Sequence, residues 1–489
     1  MSALTPKEAA LQLRKVLQLL TTAINDIASR WESESRDENA VEIRYNGTTQ
    51  HTAQDPVKVA LAAMGHVESL ITEPHRLVVD MSTSYLISRA LHIVADHDIA
   101  GIIAAANGAD GVHVEELARL AGMEQDKLCR IMRALVSHHV FQEVEERRFA
   151  NNHVSETLAG DPAFRAHIMM KGRVHYAASD HLPSIVKVKG SEVQHDSEAR
   201  KTAFQKAVRT DLSLFDWMNQ EVPAHDTDWR PRLKNNEISI ISYSDKDAIP
   251  GSPVKTVARP EKLLFHQAMA GLDRGQGHFY LGAYPWRDLG TGTVVDVGGG
   301  IGSFCMQLHD IYPALQLVVQ DREPVIKQAI SVWQSKYPEA LNSGQVKLSV
   351  HDFFMPNPVQ GADVYWLRYI LHDWPDNQVA TILGNIAKSM TASSRLLIAD
   401  IIVTTTVRTS LDGDASTAVA APPPLLANYG QAAAHAHLMD LNMMMMVNGR
   451  ERTPAELAML VQATGLEIVR IWQGCAADAL GVVECRLAV

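Results

Sequence analysis

The segment Val294–Phe304 constrains the fold more than any other part of this chain. It reads VVDVGGGIGSF, a β-branched run that reaches Asp296 and then enters four glycines, Gly298, Gly299, Gly300 and Gly302. Glycine tolerates positive φ and, because it lacks a Cβ, lets a ligand lie against the backbone. The pattern predicts a buried parallel strand that turns sharply into a helix. We expect a cofactor to bind there, against Asp296 and the loop glycines.

An acidic residue after the next apolar run narrows the choice of cofactor. Asp321 follows the run Leu315–Gln320 and lies 21 positions beyond Gly300, where a carboxylate can accept hydrogen bonds from two ribose hydroxyls. Both NAD and S-adenosylmethionine (SAM) fit such an acid. Asp296, however, stands before the glycines, where a carboxylate repels a pyrophosphate and attracts the ammonium group of a methionine moiety. The order of residues therefore favours SAM.

Strand-like and helical patterns alternate from residue 293 onward. The strand-like runs are 293–297, 315–320, 346–350, 363–368, 395–400, 466–472 and 480–487. The helical patterns between them are 301–309, 323–335, 376–390 and 453–464. This alternation predicts an α/β fold with a doubly wound parallel sheet, preceded by a mainly helical region.

The rest of the chain divides into three predicted domains. Residues 1–175 form a helical domain, residues 176–275 connect it to the sheet, and residues 276–489 form the SAM-binding domain. The detailed predictions are helices at 5–31, 202–224 and 261–272, a linker at 32–55, and an irregular insertion at 225–260 with a short strand at 238–241. Residues 404–432, rich in proline and small residues, predict a disordered or surface insertion.

A helix-turn-helix pattern lies within the N-terminal domain. Residues 114–123 and 128–135 read as two helices around a glycine-containing turn, and residues 141–150 read as the hairpin of a winged helix. Such a unit binds DNA in some proteins and packs or dimerises in others. The region holds about as many acidic as basic residues, and no stripe of basic residues crosses it. We therefore favour a packing or dimerisation role over DNA binding.

Composition excludes several classes of protein. The net charge of −11 gives no general electrostatic support to nucleic-acid or anionic-membrane binding. The four cysteines show neither metal-ligand spacing nor a disulfide pattern, which is typical of a reducing compartment. No signal peptide and no run of 18 apolar residues is evident. We therefore expect a cytoplasmic protein without nucleic-acid or membrane partners.

Side chains suited to binding and catalysis follow the later strands. Asp352 and Phe353 come after the third strand, where a carboxylate and an aromatic ring can contact adenine; a turn cap and a core residue are the alternatives. His372 follows the fourth strand, and an imidazole pKa near 6.5 suits a general base. Asp400 ends the fifth strand. Glu451 precedes Thr453-Pro454, so entry into a helix is its alternative role.

These motifs together resemble the plant and fungal O-methyltransferases of the caffeic acid O-methyltransferase type. The matching segments are Asp296–Gly302, Asp321, Asp352-Phe353, His372-Asp373-Trp374, Asp440–Met443, Gly449–Thr453 and Phe265–Met269. The resemblance covers about residues 75–224 and 261–487. It implies a class I methyltransferase fold with a winged-helix dimerisation domain, SAM as cofactor with S-adenosylhomocysteine (SAH) as product, and a homodimer formed through the N-terminal helices.

The resemblance also implies roles for individual residues. His372 would deprotonate a phenolic hydroxyl between Asp400 and Glu451, and Arg368 would lie at the cofactor. The predicted acceptor-binding residues are Phe265, Met269, Asn442 and Met446. For the methionine run Met443–Met446, a helix core is the alternative to an adaptable pocket. Asp400 departs from the plant pattern, which has glutamate there, and the insertions at 225–260 and 404–432 have no counterpart in it.

The chemistry agrees with these residues. A phenol of pKa about 10 is scarcely ionised at neutral pH, so an adjacent base assists in-line methyl transfer. No tight His/Asp cluster is evident, so we expect a metal-independent O-methyltransferase that acts on a small aromatic secondary metabolite. Two alternatives are an enzyme of the same fold that uses SAM without methyl transfer, in pericyclic or decarboxylative chemistry, and a winged-helix DNA-binding regulator.

Overall fold

The computed structural model describes residues 5–34, 55–106, 110–187, 201–223, 232–234, 237–239, 256–408, 420–473 and 480–488. Within them no helix is long and apolar enough to cross a membrane. The predicted linker at 32–55 lies mostly outside these ranges, as does most of the predicted insertion at 225–260.

The N-terminal part is mainly helical. Its helices are α1 (Pro6–Glu34), α2 (Pro56–Ile71), α3 (Pro74–Thr83), α4 (Tyr85–Asp96), α5 (Ile99–Ala105), α6 (Val114–Ala121), α7 (Gln125–Val136), α8 (Glu156–Gly160) and α9 (Pro162–Met170). A π-helical turn at Lys171–His175 continues α9 into α10 (Tyr176–Ser179), and α11 (Leu182–Ile185) follows. Strands β1 (Val112–His113), β2 (Gln142–Glu145) and β3 (Arg148–Ala150) form a small sheet beside α6 and α7, which confirms the predicted hairpin.

The connecting region differs from the single helix predicted at 202–224. It forms α12 (Ala203–Val208), α13 (Leu214–Met218) and β4 (Glu221–Pro223). The first helix ends because Arg209 adopts a left-handed conformation with φ of 53°, and Ser213 then caps a new helix. Strands β5 (Arg232–Lys234) and β6 (Glu237–Ser239) pair with each other, and β7 (Thr256–Ala258) pairs with β4. Helix α14 (Pro260–Ala283) begins one residue before the predicted helix 261–272 and ends eleven residues after it.

A seven-stranded sheet forms the centre of the C-terminal part. Its strands are β8 (Thr293–Val297), β9 (Gln316–Asp321), β10 (Val346–Val350), β11 (Val364–Arg368), β12 (Arg395–Ile401), β13 (Leu466–Gln473) and β14 (Leu480–Leu487). The helices are α15 (Ser303–Ile311), α16 (Glu323–Lys336), α17 (Pro338–Asn342), α18 (Asp376–Ala387), α19 (Ala434–Val447) and α20 (Pro454–Ala463), with short 3₁₀ turns at Trp286–Leu289, Leu371–Asp373 and Gly430–Ala433.

The strand order is β10-β9-β8-β11-β12-β14-β13. Only β14 departs from the predicted parallel sheet, because it pairs antiparallel with both β12 and β13. The reason is the short connection between Gln473 and Leu480, since a parallel crossover needs a dozen or more residues. Alternate side chains of the central strands are buried on opposite faces, as Val294 and Val295 illustrate. The order reverses direction beside β8, where open α/β sheets bind ligands.

Residues 420–432 correct the prediction of a disordered or surface insertion at 404–432. Ala421 and Leu425 are buried and pack with Val16 of α1 and Val59 of α2 in one hydrophobic cluster. Residues 409–419 lie outside the described ranges. The sequence could not predict that residues 420–432 pack against α1 and α2. The segment shows no helical or strand periodicity, and the apolar surface that it contacts comes from helices distant in sequence.

Candidate active site

The glycine loop after β8 presents bare backbone. Gly298, Gly300 and Gly302 have φ of 73°, 61° and 83°, which L side chains rarely adopt. A Cβ at Gly298 would lie 2.5 Å from Ile370 Cδ1, whereas one at Gly300 would meet no atom within 4 Å. The loop therefore packs closely on one side and is open at Gly300, as a cofactor cradle requires.

Asp321 lies where a ribose partner is expected. Its carboxylate accepts hydrogen bonds from the backbone N–H groups of Gly300 at 2.9 Å and Arg322 at 2.7 Å. Burial raises the pKa of Asp321, although these two N–H groups oppose the shift. Each oxygen retains a lone pair for a further donor. Both the open glycine and the adjacent acid fit the adenosine part of SAM.

Asp296 is buried beneath the loop. A Cβ added at Gly299 would contact its carboxyl group, and the thiol of Cys305 donates to Asp296 Oδ2 at 3.5 Å. Burial raises the pKa of Cys305 well above its usual value, and the nearby charge of Asp296 raises it further while Arg368 opposes. The predicted residues Asp296 and Arg368 therefore both lie close enough to Cys305 to shift its pKa.

Asp352 and Phe353 lie in the turn after β10. Asp352 Oδ1 accepts from the backbone N–H of Phe354 at 3.0 Å, which is the turn cap considered as its alternative role. The ring of Phe353 packs edge-on against Phe354 and Trp374. Phe353 also lies 3.6 Å from the Cβ position of Gly298, so its ring borders the glycine loop. Contact of both residues with adenine stays a prediction.

The chain turns abruptly between β11 and His372. Tyr369 adopts φ of 54°, a conformation that is sparsely populated for aromatic residues and concentrates at functional sites. Its ring stacks on the imidazole of His372, with centroids 5.5 Å apart, and its hydroxyl accepts from Tyr280 at 3.0 Å. The 3₁₀ turn Leu371–Asp373 thereby places His372 at the carboxyl edge of the sheet.

Glu451 holds His372 through a buried hydrogen bond. His372 Nδ1 lies 2.9 Å from Glu451 Oε1, and Nε2 lies 3.8 Å from Asp373 Oδ1. Glu451 is 3% exposed, so the pair is shielded from water. Glu451 thus contacts the imidazole, whereas Thr453 and Glu456 form the capping box of α20. A catalytic role for Glu451 stays a prediction.

Three carboxylates set the protonation of His372. Burial lowers the pKa of His372, but the charges of Glu451, Asp373 and Asp400 outweigh burial and raise it to about 10. Burial also raises the pKa of Asp400 to about 7 and that of Asp373 to about 6. These charges move the pKa of His372 above the ordinary imidazole value, which depends on the ring alone.

Arg452 and the backbone of Arg450 fix the turn that carries His372. The guanidinium of Arg452 donates to the carbonyl oxygens of Leu371 at 2.9 Å and Trp374 at 2.7 Å. The N–H of Arg450 donates to the carbonyl oxygen of His372 at 2.9 Å. Sequence reasoning missed Arg452, because these partners lie about 80 residues earlier and no local pattern reports them.

Comparison with known proteins identifies the family. A model of the O-methyltransferase domain matches residues 254–467, and a model of the O-methyltransferase dimerisation domain matches residues 79–161. O-methyltransferase gedA of Aspergillus terreus is 36% identical over 472 residues, covering 95% of this chain and 94% of the relative. The chain is a SAM-dependent O-methyltransferase. O-methyltransferase tpcA of Aspergillus fumigatus is similar at 35% identity, with the same coverage of both chains.

Solved structures share the fold of this methyltransferase. OxaC in complex with SAH and oxaline has a TM-score of 0.63 at 19% identity, covering 98% of this chain and 100% of OxaC. LepI in complex with SAM has a TM-score of 0.61 at 22% identity, covering 92% of this chain and 98% of LepI. The predicted class I fold and SAM as cofactor are thereby confirmed.

The predicted acceptor residues of the methyltransferase occupy two different environments. Asn442 is buried, and its Nδ2 has no hydrogen-bond partner among the described residues, so it can donate to a ligand. Phe265 and Met269 pack partly buried on α14. Met446 is 2% exposed within a hydrophobic cluster, which agrees with the core alternative. Within the described ranges no group of three or more His, Cys, Asp or Glu could hold a metal ion.

Proposed function

We propose that this methyltransferase methylates an aromatic hydroxyl of a small secondary metabolite, with His372 as general base. The observation that carries the proposal is the buried 2.9 Å contact between His372 and Glu451 at the carboxyl edge of the sheet. Two further carboxylates, Asp373 and Asp400, add negative charge around the ring. When bound, SAM supplies an activated methyl group, and the chain must present an oxygen nucleophile to it.

Proton transfer to His372 is well matched to a phenol. The neighbouring carboxylates raise the pKa of His372 towards that of a phenol, so proton transfer from the phenol costs less than transfer to an ordinary imidazole. Glu451 then stabilises the imidazolium. Before the reaction His372 is largely protonated at pH 7, so the complex of enzyme and phenol must lose one proton to become reactive. Phenolate beside imidazolium and phenol beside neutral imidazole hold the same number of protons, so both are forms of this reactive complex.

We expect the pH profile to report this proton. For a phenol of pKa about 10, kcat/KM of the wild type should rise with pH from 6 to 9 without a plateau, since His372 and the phenol both titrate near the upper limit. Glu451→Gln removes the largest charge that raises the pKa of His372. Its profile should therefore level off at lower pH, with a reduced maximum, when kcat/KM is measured from pH 5.5 to 9.5.

A control variant tests whether the change in the pH profile is specific to Glu451 or follows from the loss of any glutamate. Glu339 is exposed on α17, and Glu339→Gln should leave the wild-type profile unchanged. Identical profiles for the wild type and Glu451→Gln would contradict the assignment of Glu451 as the partner that raises the pKa of His372.

Isotope-labelled SAM and a panel of phenols test the function directly. We expect transfer of the labelled methyl group to a hydroxyl oxygen, detected as a methyl ether by mass spectrometry. Equimolar SAH should accompany the ether. Conversion of an acceptor without consumption of SAM would instead support pericyclic or decarboxylative chemistry. Duplex binding with a steep salt dependence and no methyl transfer would support a regulator.

We also propose that the enzyme is a homodimer that associates through its N-terminal helices. Large apolar side chains are exposed on α3 and the start of α4, namely Val78, Val79, Met81, Tyr85 and Leu86. They overlap the matched dimerisation domain, and adjacent exposed apolar residues are typical of an interface.

Lysine substitutions in this patch should separate the protomers. We expect light scattering to give a dimer for the wild type and monomers for Val79→Lys/Met81→Lys, because two charges per subunit would be buried at the interface. Met459→Lys, at an apolar residue on α20 that is 64% exposed, is the control and should remain dimeric. A monomeric wild type at micromolar concentration would refute the proposal.

A further inference from the structure

A face of basic side chains runs along α9 and the π-helical turn that follows it. His167, Lys171 and His175 recur every four residues through α9 and the π-helical turn, so they share one side of the helix. A π-helical turn inside a helix often marks a functional site. None of these residues belongs to the catalytic group around His372.

Lys171 is the charged member of this face. Its Nζ lies 4.0 Å from the sulfur of Met439 on α19, and no carboxylate within the described ranges forms an ion pair with it. Burial lowers the pKa of Lys171 to about 8, while the charge of Glu451 raises it. The ammonium is thus desolvated, close enough to Glu451 to sense its charge, and still mostly protonated at pH 7.

The two histidines are neutral neighbours of this ammonium. Burial lowers the pKa of His167 to about 4, and the charge of Lys171 lowers it further. Burial and Lys171 also hold the pKa of His175 well below its usual value. The Nδ1 atoms of both rings are buried without a hydrogen-bond partner in the described part of the chain. They can therefore serve as uncharged hydrogen-bond partners beside a single positive charge.

Helix α19, which carries Met439, supplies another unsatisfied donor. Asn442 lies three residues after Met439 on α19 and therefore on the same side of that helix. Within the described ranges its buried Nδ2 has no hydrogen-bond partner, like the two imidazole Nδ1 atoms. The charge of Glu451 acts on Lys171, but Glu451 is already hydrogen-bonded to His372. A largely desolvated ammonium that forms no ion pair within the described ranges is stabilised by a further negative charge, and a ligand can supply it.

We infer that Lys171, with His167, His175 and Asn442 around it, binds a carboxylate carried by the methyl acceptor. The inference rests on the proposed function and names its substrate class: a hydroxyarenecarboxylate whose hydroxyl faces His372 while its carboxylate pairs with Lys171. The methionine carboxylate of SAM is not the expected occupant, because the cofactor cradle lies at the glycine loop after β8.

Binding to the SAH-loaded enzyme tests this without any methyl transfer. The probes are 2,4-dihydroxybenzoate and 3-hydroxy-2-naphthoate, each compared with its neutral carboxamide by titration calorimetry. We expect at least one acid to bind wild type about 10- to 100-fold more tightly than its amide, as for a buried charge-assisted contact. Lys171→Met should reduce this ratio to about one, and Lys171→Arg should retain most of it.

Controls exclude effects on folding and on the cofactor site. Lys206→Met removes a surface lysine that bonds Ser184 and should behave as wild type. SAH affinity should be unchanged in Lys171→Met, and thermal melting verifies its fold, with Lys171→Gln as the substitute if it does not fold.

Three results would overturn the inference. The first is that the wild type binds neither acid more tightly than its amide. The second is that Lys171→Met keeps the wild-type preference for the acid. The third is that Lys171→Met loses affinity for SAH as well as for the acid. A preference without methylation of any phenol would refute the proposed function but leave the carboxylate site intact. Methylation of phenols without any preference for the acid over its amide would support the proposed function but refute the carboxylate site.

Discussion

His372→Ala should reduce kcat for methyl transfer by about 10²- to 10⁴-fold, the usual contribution of a positioned general base. The variant loses the group that accepts the phenolic proton, whereas the glycine loop and Asp321 remain in place. SAH affinity, measured by calorimetry, should therefore stay within about twofold of wild type. His372→Asn should lose as much activity, because its amide can still donate to Glu451 but cannot accept a proton.

The control for this experiment is His153→Ala, which removes an exposed histidine from a turn far along the chain from the base. It should retain wild-type activity and stability. Should His372→Ala keep more than a tenth of wild-type kcat with the same acceptor, another group must accept the proton, and the assigned base would be wrong.

Gly449→Ala should cause the second large loss, although the side chain added is one methyl group. A Cβ at Gly449 would overlap the carbonyl oxygen of His372 and lie 2.9 Å from the carbonyl carbon of Asp373. The 2.9 Å hydrogen bond from Arg450 N to that oxygen must then break or shift. Because a displacement of about 1 Å can cost about 10²-fold in rate, we expect kcat to fall by about that factor, together with the melting temperature.

Gly384→Ala is the matched control. Gly384 lies within α18, and a Cβ there would meet no atom within 4 Å. Alanine in a helix interior is favoured over glycine by up to about 1 kcal/mol, so this variant should melt at or above the wild-type temperature and keep its activity. A Gly449→Ala variant with wild-type kcat would refute the tight contact between the two loops.

The carboxyl edge of the sheet could be predicted because its residues are local in sequence. Asp296, the glycines, Asp321 and His372 each follow an apolar strand, and parallel strands deliver their carboxyl ends to one edge. Strand limits were predicted within one residue for the same reason, since a buried strand has a short apolar signature.

Contacts between distant segments could not be predicted from local patterns. The helix predicted over 202–224 failed at Arg209, where helix capping competes with helical periodicity. Ala421 and Leu425 gave no periodic signal and are buried only because α1 and α2 cover them. Lys171 did carry a signal, the spacing of His167, Lys171 and His175 at four residues, but that spacing alone does not identify what the face meets.

The sequence by itself determined the sheet, the glycine loop and the position of His372, the proposed base, because each depends on a residue type at the end of an apolar run. Only the tertiary structure decided which residues contact His372. Glu451 lies 79 residues beyond His372, and Lys171 lies 201 residues before it, yet all three share one desolvated region. Hydrogen bonding and charge act over a few ångströms in space, so the protonation of His372 depends on the folded arrangement.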